Sequence, residues 1–152
     1  MSDRSRYDPN VPELAITLLR VIAGIVFFMH GWQKLVDNGI DGTELFFDSL
    51  GIPLPALAAV VVTIVELVGG AALILGVLTR FVAALLAIDM VVASLVVHLE
   101  NGLFVMNGGF ELVLLLLAIM VVLIMTGPGA MAGDNLFFQR ARTGGGRRQR
   151  AI

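Results

Sequence analysis

The chain has 152 residues, of which 58% are hydrophobic and 14% charged, with a mean hydropathy of +0.94 and a formal net charge of −2. A water-soluble domain of this length needs far more polar surface, so the composition points to a protein embedded in a bilayer. No nucleic-acid patch, phosphate loop or metal-ligand motif is present, and the lack of cysteine excludes thiol redox chemistry, thiolate-held metals, c-type haem attachment and iron–sulfur clusters for this chain alone.

The opening ten residues, 1–10, read as a polar N-terminal arm without the basic n-region of a cleavable signal. Apolar runs follow at Val11–Leu35, Leu54–Leu78, Phe81–Leu99 and Phe110–Thr126, each approaching the roughly 20 residues that span a hydrocarbon core. They predict an all-α fold: a four-transmembrane-helix bundle forming one domain over residues 11–129. Pro12 suits the first turn of the first helix, and Asp37-Asn38-Gly39 ends it. Thr43–Leu50 sets Leu45, Phe46, Phe47 and Leu50 among acids, which predicts a short interfacial segment between the first and second helices. Gly76–Arg80 is a tight connection between the second and third helices. Leu103–Met106 is too short to span and is expected at the interface or tucked into the bundle. Residues 130–152 read as a basic tail.

Charge sets the expected orientation. The tail carries Arg140, Arg142, Arg147, Arg148 and Arg150, the arm Arg4 and Arg6, and the second turn Arg80. The loop from Asp37 to Pro53 holds four acids and no Lys or Arg. The positive-inside rule therefore puts both termini in the cytoplasm and the acidic loop outside.

Eight ionisable residues lie inside or at the ends of the apolar runs: Arg20, His30, Lys34, Glu66, Arg80, Asp89, His98 and Glu111. A charge at the bilayer centre costs about 3 kcal/mol on insertion scales. Phe81–Leu99 still inserts, because a dozen apolar side chains at about −0.5 kcal/mol each outweigh Asp89. Arg20, Gly24, Phe27, Gly31 and Lys34 recur at spacings of four and three, on one helical face that must turn inward because lipid cannot solvate Arg20. Arg20 is expected to pair with Glu66 or Asp89 in a buried charge network, while Lys34 can instead snorkel outward. His30, Lys34, His98 and Glu111 come from three helices at similar depth and are expected to converge on an outer mouth lined by Asn101 and Asn107, the candidate ligand and proton site. Two histidines in such a position can ligate one b-type haem across the bundle; hydrogen bonds to Glu111 or to backbone carbonyls are the preferred reading.

The ordered set of motifs resembles the DoxX family: Arg20-x3-Gly24, His30-Gly31-x2-Lys34-Leu35, Glu66-x2-Gly69-Gly70, Gly76-x2-Thr79-Arg80, His98-x2-Asn101-Gly102, Gly108-Gly109-x-Glu111-Leu112 and Thr126-Gly127-Pro128-Gly129. Asp89 lies outside these motifs. The resemblance implies a prokaryotic multi-pass inner-membrane protein linked to membrane redox or oxidative-stress defence. It further implies protein partners in a membrane complex and, if the chain is an enzyme, oxidoreductase chemistry on quinone. A non-enzymatic membrane scaffold, and a small transporter or lipid-binding bundle, are the alternatives from other functional classes.

Overall fold

The structure is a computed structural model that describes residues 10–135. Among these residues the fold is all helical. Helix α1 runs Asn10–Trp32 and continues through a π-helical turn, Gln33–Asp37. Helix α2 (Gly39–Ser49) follows, then α3 (Pro55–Leu75) and α4 (Thr79–Ala93). The latter passes into a second π turn, Ser94–His98, and a 3-10 turn, Leu99–Asn101. A 3-10 turn at Val105–Asn107 precedes the last helix, α5 (Glu111–Thr126). Three helical stretches are long and apolar enough to cross a membrane: Val11–Asp37, Pro55–Leu75 and Thr79–Asn101; α5 is equally apolar but shorter.

The four long helices alternate in direction, with α1 packed chiefly on α3 and α4 on α5. The α1–α3 contact is backbone against backbone. A Cβ at Gly31 would meet the Leu67 backbone, and one at Gly70 would meet Phe28 N and Gly24 O. Only glycine permits this approach, which gives two lipid-embedded helices the close packing they need. Gly69 turns the other way, where a Cβ would lie 3.3 Å from the Leu86 side chain on α4. Ala23, Phe27, Leu73, Leu86, Met120 and Leu123 fill the shared core. The opposite face of α1 carries Leu18, Ile22, Ile25 and Met29, large, apolar and exposed. Small or polar residues inward and large apolar ones outward is the pattern of a bundle solvated by lipid.

The chain after α5 folds back over the end of the bundle. Ala130 N donates to Glu13 O, and Thr17 Oγ1 donates to Ala130 O at 2.7 Å. Asp134 N donates to Gly76 O at 2.8 Å, and the Asp134 carboxylate accepts from Leu78 N and Thr79 N at 2.7 and 2.9 Å, capping α4. The packed unit thus extends past Gly129, where the sequence placed the start of the tail. The arm up to residue 9 and the arginines of the tail lie outside the described residues.

Candidate functional site

Arg20 is fully buried, as its helical face required, but its partner is not an acid of the spans. Nη1 donates to Leu73 O at 2.5 Å and to Ile74 O at 3.1 Å, and Nη2 reaches Met131 O at 3.4 Å. Leu73 and Ile74 lie in the last turn of α3, whose end carbonyls lack intrahelical donors and form the negative pole of the helix dipole. A cation satisfies both demands there. Gly76 closes the helix in the left-handed region at φ 68°, and any Cβ there would collide with the Arg20 guanidinium. Arg20 is a helix-end clamp.

The expected Arg20–Glu66 or Arg20–Asp89 pair is therefore absent among the described residues, and the register of α1 on α3 explains why. Gly24 packs beside Gly70 and Ile74, and Gly31 beside Leu67. Glu66 thus lies level with Gly31, eleven residues along α1 from Arg20, or about 16 Å at 1.5 Å per residue. Lys34 takes its place. Lys34 Nζ donates to Glu66 Oε2 at 2.6 Å, with 18% of the lysine side chain and 6% of the glutamate exposed. Lys34 does not snorkel outward; it turns into the bundle.

That pair lies in the wall of a cavity of about 390 Å³ lined by residues from the C-terminal ends of α1 and α4, the N-terminal halves of α3 and α5, and Phe46 and Phe47 of α2. His30, Lys34, Glu66, Asp89 and His98 line it, and the rest of its surface is apolar, including Phe27, Phe47, Val62, Met90 and Leu112. Glu66 and Asp89 of the expected charge network and His30, Lys34 and His98 of the expected mouth cluster share one chamber, and Arg20 is not part of it. Glu111 and Asn101 do not line it. Leu112, Val113 and Leu116 face the chamber from α5, and at 100° per residue this turns Glu111 off that face. Asn101 instead donates from Nδ2 to Val97 O at 3.3 Å and to Gly108 O at 3.4 Å. It braces the carbonyl that His98 uses, and Asn107 lies outside the lining as well.

His98 Nδ1 donates to Gly108 O at 2.6 Å. This fixes the ring and leaves Nε2 as an acceptor in the neutral tautomer. Asp89 offers a buried Oδ2 with no hydrogen-bond partner among the described residues, a polar atom whose demand a ligand or water can meet. Lys34 belongs to the π turn of α1, and His98 ends the π turn of α4. Such turns widen a helix, offset the side chains beyond them, and are frequent at functional sites. Their signal in the sequence is weak, since neither segment carries Gly or Pro. A repeat of cavity-facing positions was readable: Ala58, Val62 and Glu66 are four apart on α3, and Asp89, Ala93 and Val97 four apart on α4.

Comparison with known proteins agrees with this architecture. The DoxX family model matches residues 15–99, which contain Arg20, His30, Lys34, Glu66, Asp89 and His98. CatD of Bacillus subtilis, whose name marks it as a proposed oxidoreductase, is 39% identical over 87% of this chain and 93% of its own length. The inner membrane protein YqjF of Escherichia coli is 31% identical over 84% of this chain and 95% of its own. The membrane protein Rv3486 of Mycobacterium tuberculosis is 30% identical over 88% and 87%. No solved structure matches. With its lipid-facing apolar surface, its glycine-packed helices and this match over more than half its length, the chain is an integral membrane protein that belongs to the DoxX family.

Proposed function

We propose that this protein is a quinone-binding subunit of a membrane redox assembly, crossing the bacterial inner membrane four times with both termini in the cytoplasm. The observation that carries the reading is the 390 Å³ cavity, apolar except for His30, Lys34, Glu66, Asp89 and His98. A quinone headgroup is a flat apolar ring with two opposed carbonyl oxygens. Its reduction to the quinol takes two electrons and two protons. Lys34 and His30 are hydrogen-bond donors for a carbonyl, His98 Nε2 is an acceptor for a quinol hydroxyl, and Glu66 and Asp89 are carboxyls that can pass protons. The electrons come from a partner redox subunit, in keeping with the name carried by the Bacillus subtilis relative.

The orientation rests on charge: Arg80 in the first turn of α4 faces the cytoplasm, and the α2 loop, free of Lys and Arg, faces out. At 1.5 Å per residue α5 is about 24 Å long, so its flanking residues complete the fourth crossing. The basic tail then meets anionic headgroups.

Trp32, the single tryptophan, is two residues from His30 on the exposed face of α1, outside the cavity lining but within about a helix diameter of it, close enough for a bound quinone to quench. Titration of ubiquinone or menaquinone into nanodiscs carrying the protein is expected to quench Trp32 emission with one-site saturation. A His30→Ala/His98→Ala double variant is expected to lose the saturable part. Quenching that rises linearly and equally in both proteins would sink the proposal.

A further inference from the structure

The cavity is not closed on all sides by protein. Helices α3 and α4 touch where Gly69 meets Leu86. Nearer the α2 end the cavity is lined by Ala58 and Val62 of α3 and by Val92 and Val96 of the helical stretch Thr79–Asn101. Val92 and Val96 are 48% and 42% exposed, on a helical stretch long and apolar enough to cross a membrane. In a bilayer that exposure is to acyl chains and not to water. Phe46 of α2, also exposed, lines the same cavity. One chamber therefore has a polar pole at Lys34, Glu66 and Asp89 and an apolar slot leading sideways into lipid.

We infer that the slot between α3 and α4 is the side entrance for a membrane-dissolved ligand whose hydrocarbon tail stays in the slot while its headgroup occupies the polar pole. The inference rests on the quinone reading above and adds the ligand's tail, its route and its orientation. Size argues for it. A volume of 390 Å³ is at the small end of ligand pockets, which run to about 1,000 Å³, so it holds a ring system and leaves a long chain outside. Only an opening at hydrocarbon depth lets that chain remain in lipid. Asp89 lies three residues before Val92 on the same ridge, so a headgroup entering by the slot passes its unpartnered Oδ2.

The test compares two probes in nanodiscs, a benzoquinone with a decyl chain and the same ring without it, each followed by Trp32 quenching. Val96→Phe narrows the slot and adds no tryptophan. Leu95→Phe, exposed and outside the cavity lining, is the control for bulk. Loss of burial for two methylenes corresponds to about tenfold in affinity. Val96→Phe is expected to weaken the decyl compound about tenfold and to leave the tailless ring within about twofold. Val92→Phe, one turn away, gives the same contrast should the first variant not fold. Equal effects on both probes, or none on either, overturn the side entrance while the quinone site stands. Failure of both probes to saturate the unaltered protein overturns the quinone reading and the entrance with it.

Discussion

Removing one member of the Lys34–Glu66 pair is predicted to cost far more than removing both. At 2.6 Å the Coulomb attraction is about 6 kcal/mol at an effective dielectric of 20. Desolvation of two ions consumes several kcal/mol apiece, so the intact pair contributes little net stability over an apolar replacement. Lys34→Met leaves the Glu66 carboxyl, 6% exposed, without its cation. Glu66→Leu leaves an ammonium without its contacting carboxylate, in a chamber whose remaining acid is Asp89. Each single change is expected to cost about 3–5 kcal/mol, a fall in Tm of roughly 6–20 °C for a chain of this size. The Lys34→Met/Glu66→Leu double variant is expected to recover most of that loss. Thermal unfolding of the four proteins in one detergent gives the coupling energy directly. Single variants within about 0.5 kcal/mol of the parent, or losses that simply add in the double, would refute the buried-pair reading.

Gly31→Ala presses a methyl onto the Leu67 backbone and is expected to cost about 2–3 kcal/mol, whereas Gly69→Ala meets only the yielding Leu86 side chain and should cost less than about 1 kcal/mol; equal costs would contradict the packing described. Arg20→Met strands the Leu73 and Ile74 carbonyls and should lower stability by about 1.5–3 kcal/mol while quinone affinity stays unchanged, so a selective loss of binding would show that Arg20 is more than a clamp. A tag placed after Ile152 should react with an impermeant label only once the inner membrane is opened; labelling of intact spheroplasts would reverse the topology.

The elements were legible because bilayer insertion writes them as long apolar runs, and α1, α3 and α4 begin and end within a few residues of those runs. The burial of Arg20 was legible for the same reason, since nothing on the lipid side solvates a guanidinium. Its partner was not. Backbone carbonyls more than fifty residues away leave no mark in side-chain identity, and α1 presents two cations on one face to a single acid. Which cation wins depends on the register of α1 against α3, set by glycines whose contact residues the sequence does not name. Glu111 failed differently: its depth was readable from helix direction, its azimuth was not, because α5 is apolar nearly all round. His98 took the backbone carbonyl, one of the two partners anticipated for it.

The central claim is that a quinone headgroup occupies the chamber formed by α1, α3, α4 and α5. A photoreactive quinone, irradiated in nanodiscs and mapped by peptide mass spectrometry, tests it most directly. Adducts are expected within Phe27–Lys34 and Asp89–His98, displaced by excess unlabelled quinone. Adducts confined to the lipid-facing stripe Leu18, Ile22, Ile25 and Met29, undiminished by competitor, would contradict it.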